Sequence, residues 1–186
     1  MRLSSAVWRD LMSRRCPALR GDEGTRSARR DVLASVAALT AQLRVLPNPW
    51  DIAVLCDRLA EQRGRPLLLW PIDFPAFPFG LWYDDGQRDH VLYRARLAGF
   101  HRDHVILHEL CHMIADHNRH SDSLGQGDQE PDVSTLILRA AGNPHSAIQE
   151  EIAELFATQI LFSVRKQHIT LDDVELRAAT VLGLRR

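Results

Sequence analysis

The sequence predicts an α+β fold, a small antiparallel or mixed sheet packed on helices. Three observations carry that expectation. Apolar residues recur at helical spacing in 27–46 and 50–65, the period shortens to two between 81 and 97, and helical spacing returns in 100–118 and 147–164. With 186 residues, 45% hydrophobic and 25% charged, the chain is sized for one domain with a real core.

Residues 1–27 are basic and end in the glycine-punctuated "RGDEGTRS", so they are expected to form a flexible N-terminal arm ahead of a single domain over 28–186. "SARRDVLASVAALTAQLRVL" places Val32, Val36, Leu39 and Leu43 on one helical stripe, and "PNP" at 47–49 stops it. The second helix, 50–65, carries Ile52, Leu55 and Leu59 on one face, with Cys56 on its apolar side and Gly64 near its end. Residues 65–74 read as a strand interrupted by Pro71, irregular or at an edge. "PAFPFG" is a bend, and the aromatics Trp70, Phe74, Phe77, Phe79 and Trp82 gather around these prolines as core.

A β-hairpin follows over 81–97, with "DDGQRD" as its turn. Its second strand, "HVLYRARL", leads into the next helix and is expected to be an edge strand on which an extended peptide can pair. The helix of 100–118 comes next. Residues 118–146 are polar and glycine-rich, with a short apolar piece, "VSTLILRA", and read as a flexible lid. A third clear helix spans 147–164. A fourth is expected over 170–184, opened by Thr170 as N-cap with Asp173 three residues on.

A net charge of −1 gives no field that would recruit nucleic acid or an acidic membrane, so direct nucleic-acid binding is not expected. No apolar run approaches the roughly 20 residues that span a bilayer. Cys16, Cys56 and Cys111 are odd in number and widely spaced, which argues against a disulfide framework and for the cytoplasm.

The chemistry is concentrated in "HVILHELCHMIADH", 104–117. His108 and His112 stand four residues apart, on one helical face about one turn from each other, and two imidazoles so placed can converge on one ion. Glu109 lies one position round the helix, badly placed as a ligand and well placed to hold water as a general base. The plainer alternative is a helix whose polar residues are satisfied by its neighbours. Burying two histidines and a glutamate uncompensated costs roughly several kcal/mol, and a metal removes that cost. A catalytic zinc needs a third protein ligand, and "QEEIAELFA" offers Glu150, Glu151 and Glu154.

His104, one turn before His108, is expected to be a surface histidine or one that supports a ligand, with lining the cleft or stabilising an oxyanion as the alternative; His101, His117 and His120 also flank the motif. Asp116, one turn after His112, is placed to accept a hydrogen bond from a ligand imidazole or to face solvent. Cys111 sits near the ligand face, either packed or touching the metal.

HELCH followed by "EEIAELFA" (150–157) resembles the ImmA/IrrE family of metallopeptidases, which pair HExxH with a later helix of the form E-x-x-A-(N/D/E)-x-F-A. The resemblance covers about residues 50–165. It implies a compact gluzincin-like domain and a cytoplasmic zinc endopeptidase that cuts or otherwise inactivates a helix-turn-helix repressor. It implies Zn2+ on His108, His112 and Glu150, with Glu109 as catalytic base. Helical spacing agrees on the third ligand, because Glu150, Ala153, Glu154 and Ala157 share one face whereas Glu151 lies about 100° further round. Glu154 can then hydrogen-bond a ligand imidazole.

The chain departs from the family pattern in several places. Cys111 replaces a small residue, Glu154 replaces the commoner Asn or Asp, and the 37-residue spacer between His112 and Glu150 is long and polar. No helix-turn-helix is evident, so a DNA-binding partner would be a separate protein. A zinc-stabilised module that binds a regulatory partner without cutting it is the alternative function, although structural zinc needs no general base.

Overall fold

A computed structural model describes residues 23–73, 80–117 and 145–181, with side chains described for 24–73, 80–117 and 145–166. The described chain is mixed α+β, with four helices and one three-stranded sheet. Helix α1 (Glu23–Gln42) buries Val32, Val36 and Leu39, the stripe expected from the sequence, and Leu43 just beyond it is buried too. The helix starts inside the stretch read as a linker and runs through Gly24. A glycine there costs about 1 kcal/mol, which does not stop a helix whose later turns are anchored on the long C-terminal helix.

Helix α2 (Ile52–Arg63) is closed at both ends. The Asp51 carboxylate accepts a hydrogen bond from the Ala53 N–H at 2.8 Å, and Gly64 takes the left-handed conformation, φ 70°, that ends the helix. Cys56 packs in the core with Ile52, Leu55 and Leu59, as its position on the apolar stripe requires.

Strands β1 (Leu67–Ile72), β2 (Gly80–Asp84) and β3 (Asp89–Arg94) form a sheet in the order β1-β3-β2. The hairpin is present, but "HVLYRARL" is not an edge. β3 pairs antiparallel with β2 on one side and parallel with β1 on the other, so both its backbone rims are occupied. The hairpin is a local pairing, whereas the parallel partner arrives from further back in the chain, beyond the reach of a local pattern. β1 takes an edge among the described residues, where Pro71 removes no needed ladder donor. β3 ends at Arg94 rather than at 97, because the chain turns at Ala95 and Arg96.

One buried carboxylate ties sheet to helix. Asp89 is fully buried at the start of β3. Arg65 donates to both its oxygens, Arg63 donates at 2.9 Å and the Trp82 indole donates at 3.0 Å.

Helix α3 (Gly99–Ile114) lies against β2 and β3 on one side and packs on helix α4 (Ala147–Val181) on the other. α4 is continuous for 35 residues, so the separate fourth helix is not formed and Thr170 is not a cap. Residues 165–170, "RKQHIT", hold no glycine or proline to interrupt the backbone, and the Thr170–Asp173 pattern simply falls mid-helix. The core gathers Val36, Leu55, Val91, Ile106, Leu107, Leu110, Met113, Phe156 and Ile160 from five elements. Trp82 joins it, whereas Trp70 is 39% exposed. The arm of 1–22, Phe74, Phe77, Phe79, His120 and the lid residues up to 144 lie outside the described residues.

Candidate metal centre

α3 is fixed in rotation by its apolar face. Ile106, Leu107, Leu110 and Met113 are fully buried, which leaves His108 and His112 on the flank that meets α4. On α4 the matching positions are Ala153 and Ala157, both fully buried, and their small side chains allow close approach of the two helices. Glu150 is carried one turn before Ala153. Its neighbour Glu151 is exposed.

The result is a triangle of donors. His108 Nε2 lies 3.1 Å from His112 Nε2 and 3.4 Å from Glu150 Oε2, and His112 Nε2 lies 3.7 Å from Glu150 Oε1. A tetrahedral zinc about 2.0–2.1 Å from each ligand holds its ligand atoms about 3.3 Å apart. The three edges straddle that spacing, so the residues present fit such an ion. Three protein donors is also the number that catalytic zinc sites use.

Burial alone would lower the His108 pKa, but hydrogen bonds to Glu150 and Glu154 and the charge of Glu109 outweigh it and raise it to about 10. His112 goes the other way. Burial, with the neighbouring histidines His145, His108 and His117, pushes it down to about 2, so it keeps a free lone pair. Glu154 sits between two imidazoles, 3.8 Å from His108 Nδ1 and 3.6 Å from His104 Nε2. His104 faces α4 as well, with Thr158 Oγ1 at 3.3 Å from its Nε2.

Glu109 stands outside the triangle. Its Oε2 accepts a hydrogen bond from the Trp82 backbone N–H at 2.9 Å, which couples the carboxylate to strand β2. Burial raises its pKa to about 7, against the opposing pull of His108 and of that N–H. Gly80 makes room for it: a Cβ there would meet Val105 Cγ1 at 2.6 Å and Glu109 Oε1 at 2.8 Å. Cys111 is fully buried in the core cluster, and burial lifts its thiol to about 12, so it packs as a neutral side chain.

Two residues join the site that the sequence did not single out as partners of His112. Asp116 adopts a left-handed backbone, φ 54°, just past α3. His117 N–H then bonds His112 C=O at 3.0 Å and Asp116 N–H bonds Met113 C=O at 3.2 Å, the hydrogen-bond pair of a Schellman motif. This fold-back sets His117 Nδ1 2.9 Å from His112 Nδ1. Asp116 therefore acts through the turn it makes, and its charge opposes the lowering of the His117 pKa, which burial and His145 produce. From just before α4, His145 stacks on His112, centroids 3.8 Å apart and planes 12° from parallel.

Comparison with protein-family models, curated proteins and solved structures returns no match for this chain. The site's chemistry therefore rests on its own geometry. Among the described residues, no helix is long and apolar enough to cross a membrane.

Proposed function

We propose that the protein is a zinc-dependent endopeptidase acting in the cytoplasm on a regulatory protein, a helix-turn-helix repressor being the substrate that its resemblance to the ImmA/IrrE family implies. One observation carries the reading. A buried carboxylate, Glu109, is held beside the His108–His112–Glu150 triangle but outside it, with a pKa pushed to about 7. A purely structural metal has no use for such a group.

When bound, zinc supplies Lewis acidity, polarising a carbonyl and making water easier to deprotonate at neutral pH. The chain does the rest. Glu109, titrating near neutrality, takes a proton from water and returns it to the leaving amine. The Trp82 N–H fixes one carboxylate oxygen and so orients the other. Glu154 braces His108, and His117 braces His112. Of the strands, β2 rather than β3 lies at a sheet edge beside Glu109 among the described residues, so an extended substrate would pair there.

The test combines metal analysis with cleavage. Protein purified without added metal should carry close to one zinc per chain, lost in the His108→Ala, His112→Ala double variant. Mixed with repressors and quenched-fluorescence peptides, the zinc-loaded protein should cut, and a chelator should stop it. Zinc content unchanged in the double variant sinks the metal site. Tight partner binding without cleavage favours the non-cutting zinc module.

A further inference from the structure

We infer that His112, His117 and His145 form a second position for a divalent transition-metal ion, made only of imidazoles and mutually exclusive with the first. Ligand nitrogens of the three lie within 4.8 Å of one another, as do the donors of the first triangle, and His112 belongs to both groups. The inference rests on His112 serving the first position through Nε2. It assigns the opposite nitrogen of that ring.

The two positions use one imidazole in its two tautomers. A neutral imidazole has one lone pair in the ring plane. With the proton on Nδ1, His112 donates to His117 Nδ1 across 2.9 Å and offers Nε2 to the side of His108 and Glu150. With the proton moved to Nε2, that N–H faces His108 Nε2 at 3.1 Å and a Glu150 oxygen at 3.7 Å, and Nδ1 turns its lone pair toward His117. The first tautomer finds its partner in His117, and an ion at the second position takes the place of that hydrogen bond.

The donor chemistry of the two positions differs. The first contains a carboxylate and spacings suited to a tetrahedron. The second has no carboxylate, and its 2.9 Å contact between Nδ1 atoms subtends about 90° at an ion 2.0–2.1 Å from each. One angle near 90° is compatible with the tetragonal preference of copper(II) or nickel(II), an all-imidazole donor set suits either ion, and copper(II) leads the affinity order. His145 stacks nearly parallel to His112, so its ring must tilt to bring a nitrogen into line. It precedes Ala147, where α4 begins, and is not locked in a helix.

The probe is copper(II), added in substoichiometric amounts and read by electron paramagnetic resonance and by competition titration. In the His108→Ala, Glu150→Ala variant the first position is gone, yet copper should still bind with coupling to about three nitrogens. Adding His117→Ala and His145→Ala to that variant should weaken binding on the order of 100-fold or more. In the otherwise intact chain, His117→Ala with His145→Ala should abolish the three-nitrogen copper signal, whereas zinc affinity at the first position should fall only by the roughly 10–100-fold that losing the His117 contact with His112 costs. Those two histidines are only half-buried, which makes this second variant safe for folding. No copper binding in His108→Ala, Glu150→Ala protein that retains its helical circular dichroism overturns the inference. So does an unchanged three-nitrogen signal in the His117→Ala, His145→Ala protein. Either result leaves the zinc site itself standing, because that site is read by the zinc content of the unaltered chain.

Discussion

Strand β2 holds one oxygen of Glu109 and leaves room for the other. The Trp82 N–H holds Oε2, and the missing side chain of Gly80 leaves space for Oε1. Each half of that arrangement yields a prediction. Glu109→Gln keeps the shape and can still accept from Trp82, but it cannot take a proton. It should retain its metal and lose on the order of 10²-fold or more in peptide hydrolysis, measured by kcat beside metal content. Full activity in that variant would remove Glu109 from the mechanism. Gly80→Ala puts a methyl into Val105 and the carboxylate, an overpacking that costs about 1–3 kcal/mol. A thermal melt should show that loss. The displaced carboxylate should also lower kcat on the order of 10²-fold without releasing metal. Wild-type kinetics with an alanine at 80 would show that Glu109 needs no such room. The histidine and glutamate spacing of HELCH is written in five consecutive residues and is legible in the sequence. Gly80 is not, because what it accommodates comes from another element.

At the scale of elements, the site is the seam between α3 and α4, and the two helices were legible to different degrees. The face made by Glu150, Ala153, Glu154 and Ala157 could be read from spacing alone, and the structure puts it where the spacing says, with both alanines buried and Glu151 exposed. Glu150→Ala should therefore weaken zinc binding far more than Glu151→Ala in a competition titration, and Glu154→Ala should cost roughly 10–100-fold. If Glu151→Ala releases the metal and Glu150→Ala does not, the third ligand is misassigned. The C-terminal turn of α3 was harder to read. A Schellman end is usually marked by glycine, and here Asp116 occupies the left-handed position, so His117 and its contact with His112 had no sequence flag. Asp116→Val puts a β-branched residue at φ 54°, which should cost about 1–2 kcal/mol and loosen His117. Asp116→Gly should be at least as stable as wild type. Equal melting temperatures for the Val and Gly variants would show that the turn is not under that constraint. The central place of β3 was likewise out of reach, since it depends on a distant parallel strand, whereas the unbroken run of α4 was legible in the absence of a breaker over 165–170 and was masked by the cap-like Thr170–Asp173 pair.

For the molecule as a whole, the Asp89 cluster joins the end of α2, the loop into β1, and strands β2 and β3, and its behaviour in acid can be derived. Burial by itself would raise the Asp89 carboxyl. Hydrogen bonds from Arg65 and the Trp82 indole, with the charges of Arg63 and Arg65, outweigh it and hold the pKa below the ordinary 3.8. A group whose pKa is depressed in the folded state adds stability that is fully present above the unfolded value. That stability is lost as pH falls from about 4 through the folded value. Asp89→Asn removes the charge and leaves the arginines without their partner. Both arginines are partly exposed, at 22% and 27% of their side chains, and regain water, so the cost at neutral pH belongs near the lower end for a broken buried pair, about 3 kcal/mol. Urea unfolding of both proteins, metal-free so that ligand protonation does not intrude, checks this. The wild type should exceed Asp89→Asn by a constant margin from pH 7 to about 4.5, and the margin should shrink steadily below that. A margin that stays the same down to pH 2 would mean that shape and hydrogen bonding, rather than the ionised carboxylate, hold the sheet to α2.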